Sequence, residues 1–127
     1  MSNWQIIAED RQTCSVPATA GNYASEVVQL GVTQVGMEDL SIIGVTGMLE
    51  AGSVPGVTLE LWVRRARGGD SKVPSDMTAQ DYTNSGLSTL SSPGVVSWVL
   101  GGGIRAAQLR VKSGGTPGLA HISGWAT

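Results

Sequence analysis

Cysteine, histidine and charged residues are all scarce in this sequence. Cys14 is the only cysteine, which excludes an internal disulfide and a zinc site built from cysteines. His121 is the only histidine, so the chain also has too few nitrogen and sulfur ligands for a metal centre. We therefore expect no metal and no cofactor. The single cysteine also indicates a protein made in a reducing compartment.

The charge pattern and the apolar segments exclude two further classes of partner. The chain has eight basic and ten acidic residues, and charged residues make up 14% of it. No basic stripe and no arginine track with interleaved aromatics is present, so we expect no nucleic-acid partner. No apolar stretch approaches the roughly 18 residues that cross a bilayer. The first 25 residues have no charged start followed by a long apolar run, so we expect no signal peptide. We expect a soluble protein with no membrane partner.

Motifs that carry catalysis are missing as well. No G-x-S-x-G sequence is present to hold a serine nucleophile, and the aspartates are too dispersed for a calcium loop. The segment Gly101–Ala106 fits G-x-G-x-x-A formally, but an alternating strand follows it where a dinucleotide site needs a helix. A glycosidase-type carboxylate pair needs no local motif, so it stays open, although nothing singles one out. We expect a protein that is not an enzyme.

Short β-strand patterns fill the last third of the chain. GVVSWVL, IRAAQLRVK and LAHISGWA are rich in β-branched residues and are separated by the glycine segments Gly101–Gly103 and Ser113–Gly118. In the middle run Ala107, Leu109 and Val111 lie on one side of the strand. Arg110 and Lys112 lie on the other side, so we expect the strand to have one buried and one solvent-exposed face. We interpret both glycine segments as hairpin turns.

The whole chain, residues 1–127, is predicted to form one antiparallel β-sandwich domain that is jelly-roll-like and has about eight strands. Val57–Arg65 is the clearest strand: Leu59 and Leu61 face one way, and Trp62 faces the other. A short helical turn is expected near residues 76–82. The remaining predicted strands are Arg11–Pro17, Glu26–Leu30, Met37–Leu49 with a bend, Leu87–Ser91, and residues 1–10 as either an edge strand or an extended arm.

The tryptophans are the candidate anchors for binding another protein. Trp62 shares the outer side of its strand with Glu60 and Arg64, and a large aromatic framed by opposite charges is typical of an interface anchor. The alternative is that a neighbouring loop or the turn near residues 76–82 covers Trp62 within the same subunit. Trp98 lies in an apolar run and is expected in the core. The other interface candidates are Trp125 and the apolar N-terminal residues Trp4, Ile6 and Ile7.

Several of these segments together resemble a known class of protein. TLELWVRRA, the polar loop with Ser75-Asp76 and Tyr82, VVSWVL, IRAAQLRVKSGGTPG and ISGWA resemble small β-sandwich structural proteins of tailed bacteriophages. Capsid decoration proteins, also called cement proteins, are the nearest functional class. The resemblance extends over about Val57 to Ala126.

This resemblance implies a virion protein that binds the outside of a phage head and bridges subunits of the major capsid protein. It also implies a homo-oligomer, with a trimer favoured, and contributes no catalytic residue. One alternative is another phage part, such as a tail, baseplate or head–tail joining protein. A second is a carbohydrate-binding β-sandwich, which would be expected to place Trp62 and Trp125 along one face with polar side chains between them.

Overall fold

The structure is a computed structural model that describes residues 10–31, 42–65, 82–85, 88–101 and 103–127. The described residues contain eight β-strands and no helix. The strands are β1 (Asp10–Val16), β2 (Val28–Gly31), β3 (Gly44–Leu49), β4 (Thr58–Arg65), β5 (Thr83–Asn84), β6 (Gly94–Val99), β7 (Ile104–Lys112) and β8 (Gly118–Ala126).

The strands form two four-stranded antiparallel sheets. Sheet 1 has the order β1-β8-β3-β6, and sheet 2 has the order β2-β7-β4-β5. The first strand therefore pairs with the last, the second with the seventh, the third with the sixth and the fourth with the fifth. A long antiparallel ribbon that is rolled up places successive strand pairs in alternate sheets, which is the jelly-roll arrangement. The prediction of a jelly-roll-like sandwich is confirmed.

The core lies between the sheets and is built by the alternation visible in the sequence. In β4, Leu59, Leu61 and Val63 are buried, while the residues between them point outward. Leu109 in β7 is fully buried beside Leu61, its partner in the register, on the same inner face of sheet 2, as its alternation predicts. Trp98 in β6 is 3% exposed and donates its indole N–H to the carbonyl of Ser88, so its predicted place in the core is also confirmed.

Two facing glycines make room for Leu109 at the centre of the core. Gly47 in β3 lies directly opposite Gly124 in β8, and both point inward from sheet 1. A Cβ atom added to Gly47 would lie 3.2 Å from Cδ1 of Leu109, and one added to Gly124 would overlap that same atom. Because neither glycine has a side chain, the leucine of sheet 2 fills the hollow that they leave in sheet 1.

Gly124→Ala is expected to lower the free energy of unfolding by about 2 kcal/mol, because the new methyl group forces Leu109 or the β8 backbone out of position. Urea denaturation followed by tryptophan fluorescence measures this loss. Gly101→Ala is the matched control, since a Cβ atom there meets nothing within 4 Å. A Gly124→Ala protein as stable as the control would contradict the close packing.

Consecutive strands mostly lie in different sheets, which corrects the interpretation of the glycine segments. Residues 101–103 join β6 in sheet 1 to β7 in sheet 2, and residues 113–117 join β7 to β8 back in sheet 1. Both segments therefore cross between sheets and are not hairpin turns. Gly103 and Gly115 have positive φ values of 88° and 107°. Glycine adopts positive φ readily both in a hairpin turn and in a connection between sheets, so the local sequence does not distinguish these two kinds of connection.

The remaining differences are at the margins of the sheets. The helical turn expected near residues 76–82 is not seen: residues 76–81 lie outside the described residues, and Tyr82 directly precedes β5 without helical structure. Leu90, in the predicted strand Leu87–Ser91, forms an isolated bridge with Leu59. Of the predicted strand Met37–Leu49, Gly44–Leu49 forms β3. Residues 1–9 lie outside the described residues.

Candidate protein-binding faces

Each sheet presents one outer face, and each face carries one of the predicted tryptophan anchors. The Trp62 face comprises the outward residues of sheet 2, and the Trp125 face comprises those of sheet 1. On the Trp62 face these are Gln29, Thr58, Glu60, Trp62, Arg64, Asn84, Gln108, Arg110 and Lys112. On the Trp125 face they are Arg11, Thr13, Ser15, Gly44, Thr46, Met48, Val95, Ser97, Val99, Leu119, His121, Ser123 and Trp125.

Glu60 is the centre of a hydrogen-bond network on the Trp62 face. Its side chain is only 4% exposed although it points outward from the sheet. Its Oε1 accepts hydrogen bonds from the Tyr23 hydroxyl at 2.7 Å, the Trp62 indole N–H at 3.2 Å and the Asn84 amide at 3.1 Å. Lys112 Nζ lies 2.9 Å from its Oε2. The carboxylate is therefore fully engaged within its own subunit.

Trp62 is half-buried against two neighbours from the same chain. The Arg110 guanidinium lies 4.2 Å from the centre of the indole ring, a cation–π contact. The Tyr23 ring meets the indole edge-on at 5.6 Å. Tyr23 and Arg110 therefore cover part of Trp62 within the same subunit. The loop after β4 and residues 76–81, which the alternative invoked, lie outside the described residues.

A second series of hydrogen bonds connects Arg110 to Tyr82 along the same face. Arg110 Nε donates to Gln108 at 2.9 Å, the Gln108 amide donates to Gln29 at 2.8 Å, and the Gln29 amide donates to the Tyr82 hydroxyl. Tyr82 is 4% exposed and lies under Arg110, with its ring centre 5.6 Å from the guanidinium carbon. Most polar groups of this face therefore bond to one another, whereas Arg64 Nη1 is buried and has no hydrogen-bond partner among the described residues.

Burial and hydrogen bonding shift the ionisation of this network in a consistent direction. Burial alone would raise the pKa of Glu60, but the hydrogen bonds from Lys112, Tyr23 and Trp62 outweigh it and hold the pKa below its usual value. Burial, together with the hydrogen bond to the Glu60 carboxylate, raises the pKa of Tyr23 to about 12. Near neutral pH the network therefore holds an ionised Glu60 and a protonated Tyr23.

The Trp125 face has a different chemistry, with hydroxyl and aliphatic side chains in place of charges. Arg11 is the only Lys, Arg, Asp or Glu among its outward residues. Half-buried Trp125 lies next to Thr46 at the centre, and the Thr46 and Ser97 hydroxyls hydrogen-bond at 3.1 Å. His121 is half-buried and hydrogen-bonds Thr13 at 3.1 Å.

Large aliphatic side chains are exposed on the Trp125 face. Val95 is 58% exposed, Val99 is 88% exposed and Leu119 is 51% exposed. Charged residues are depleted at the centres of protein interfaces, whereas aromatic and apolar residues are retained there. The Trp125 face has this composition, and the Trp62 face, with four charged side chains, does not.

No protein family model, curated protein or solved structure matches this chain.

The structure brings together three of the predicted anchors and separates the fourth. Glu60, Trp62 and Arg64 share one strand and one face, whereas Trp125 lies on the opposite face of the sandwich. Their binding roles stay predictions, although Glu60 and Trp62 have contacts within the chain that the sequence did not indicate. Trp4, Ile6 and Ile7 lie outside the described residues.

Other surfaces of the described chain offer little for chemistry. A groove of about 310 Å³ lies at one end of the sandwich and has a largely apolar lining that includes Leu49, Val54, Pro55 and Pro93. The described residues contain no group of three His, Cys, Asp or Glu side chains that could hold a metal ion. None of the described segments forms a helix long and apolar enough to cross a membrane.

The sequence did not indicate which residues contact Trp62 or which apolar residues are exposed on the Trp125 face. Tyr23 and Arg110 contact Trp62 from different strands or loops, so no local pattern connects them to it. Val95 and Val99 belong to the same apolar run of the sequence as Trp98. Their alternation with buried Trp98 was the available signal, because it places them on the other side of the strand.

Proposed function

We propose that this chain is a virion structural protein, a capsid decoration protein that binds the outside of a phage head and bridges capsid subunits. The observation that supports it most is the nearly uncharged Trp125 face, with its exposed valines and half-buried tryptophan. Such a face can be covered by another protein without the cost of burying charges. The jelly-roll architecture, which is frequent in viral capsid domains, and the resemblance to phage structural proteins support the same proposal.

Binding in this proposal uses the Trp125 face and leaves the Trp62 face exposed. Most polar groups of the Trp62 face already have partners within the subunit, so a partner protein there gains few new hydrogen bonds. A homo-oligomer, with a trimer favoured by the resemblance, would present several Trp125 faces at once. Several linked sites bind a repetitive shell far more tightly than one.

Cosedimentation of the purified chain with undecorated head shells tests the proposal. Thr46→Lys puts a charge beside Trp125 at the centre of the face, and we expect it to weaken shell binding about a hundredfold. Thr83→Lys is the matched control, since it puts the same charge on an exposed threonine of sheet 2. Shells that bind neither the chain nor its variants, and that are equally stable with and without it, would refute the proposal.

Labelled chain viewed on intact virions by electron microscopy separates the proposal from the other phage parts. Signal over the head shell supports a decoration protein, whereas signal confined to the tail, baseplate or neck supports a tail, baseplate or joining protein. The carbohydrate-binding alternative loses its main expectation, because Trp62 and Trp125 lie on opposite faces and form no common platform.

A further inference from the structure

Within the described part of the chain, strand β6 is an edge strand of sheet 1. Among the described residues β6 pairs with β3 alone, in an uninterrupted register from Gly44 opposite Val99 to Leu49 opposite Gly94. An edge strand exposes a row of backbone N–H and C=O groups that can pair with a further strand. In an edge strand only alternate residues point these groups away from the sheet.

The positions of the hydrogen bonds between β3 and β6 determine which backbone groups of β6 point away from the sheet. The Leu100 N–H donates to the Ile43 carbonyl at 2.9 Å, and these two residues are opposite one another in the same register. Hydrogen-bonded and non-hydrogen-bonded pairs alternate along an antiparallel ladder. The backbone groups of Trp98 and Val96 therefore point toward β3, and those of Val95, Ser97 and Val99 point away from the sheet.

The other three edges of the sandwich are protected in ways that β6 is not. β5 has two residues and β2 has four, so neither offers a long edge. In β1 the outward-pointing amide of Ser15 is already bonded to the Glu26 carboxylate at 2.9 Å. Natural proteins protect sheet edges by short strands, charges, prolines or bulges. Within Gly94–Val99, β6 has no charge, no proline and no register shift.

The residues of this edge are complementary to themselves. Val95, Ser97 and Val99 read the same in both directions, so antiparallel pairing about Ser97 sets Val95 opposite Val99 of a second copy and Ser97 opposite itself. The valine side chains are exposed on the Trp125 face, and each would pack against the other copy's valine. A two-fold interface requires such self-complementarity.

We infer that two copies of this chain associate through antiparallel pairing of their β6 strands, which joins their sheets 1 into one eight-stranded sheet. The dimer joins two Trp125 faces side by side. It differs from the trimer expected from the resemblance. It also does not depend on shell binding, because the isolated chain forms it.

Sedimentation equilibrium of the full chain tests the inference, and we expect twice the 13.1 kDa mass of one chain. The double variant Val95→Lys/Val99→Lys sets lysine opposite lysine twice across the two-fold axis. We expect it to weaken the dimer about a hundredfold. Circular dichroism should show an intact fold, because both side chains are largely exposed in the single chain.

A charge-swapped variant tests the register itself. In Val95→Lys/Val99→Glu each lysine meets a glutamate of the other copy, so we expect dimerisation within about tenfold of the original chain. Leu119→Lys, on β8 of the same face, is the control and should leave the dimer intact. A monomeric or trimeric original chain would overturn the inference, and so would a dimer that tolerates lysine at both valines. Loss of shell binding with a normal dimer would count against the proposed function alone.

Discussion

Leu109→Ala is expected to lower the free energy of unfolding by about 4 kcal/mol. Leu109 is fully buried and packs against Gly47 and Gly124, where the inner surface of sheet 1 has no side chains. The cost of a leucine-to-alanine change depends on how far the surroundings collapse into the space left behind. Two glycines have no side chains that can move into it, so the cost should fall in the upper part of the usual range.

Urea denaturation monitored through the buried Trp98 measures this effect. Leu109→Met, which nearly conserves the volume, is the control and should cost less than about 1.5 kcal/mol. Gly124→Ala in the Leu109→Ala background should be less damaging than alone, because its methyl group then occupies part of the cavity. Additive effects of the two changes would show that the glycine pair and the leucine are not in contact.

The strands were predictable from the sequence, but their connection into sheets was not. In β4 and β7 the alternation of Leu59, Leu61, Leu109 and their polar neighbours identifies both the strand and its buried side. Alternation reports only on the strand that contains it. β6 and β7 belong to different sheets because β6 pairs with β3, whereas β7 pairs with β2 and β4. No local pattern encodes such pairings between distant segments.

Less of the two faces was predictable from the sequence, because the alternation in one strand does not show which residues of other strands lie beside it. The outward direction of Trp62 follows from its strand, but the two side chains that cover it come from elsewhere in the chain. Val99 is the most exposed large hydrophobic residue described, and it lies one residue from buried Trp98. The backbone of Val99 is available for pairing with a second copy only because β6 is an edge strand of sheet 1, and this position is a property of the topology.

Glu60→Ala is expected to destabilise the fold by about 3 kcal/mol at neutral pH. Removing the carboxylate leaves the Tyr23 hydroxyl, the Trp62 indole N–H and the Lys112 ammonium without their acceptor. The loss of a buried acceptor costs its donors more than the hydrogen bonds themselves contribute. Urea denaturation measures the effect, and Thr58→Ala, two residues earlier on the same face, is the control and should cost less than about 1 kcal/mol.

Comparing the stability of Glu60→Gln with that of the original chain at different pH values distinguishes the contribution of the Glu60 charge from the contribution of its packing. The folded state holds the pKa of Glu60 below its ordinary value of 4.5, so below that value the unfolded state binds more protons. The stabilisation from the charge is therefore complete above the ordinary pKa and is lost as the pH falls through the folded pKa. We expect the stability difference between the original chain and Glu60→Gln to be large near neutral pH and to shrink as the pH falls below 4.5, the ordinary pKa of the group. A difference that does not change with pH would mean that Glu60 acts through packing, and that its charge contributes nothing to the Trp62 face.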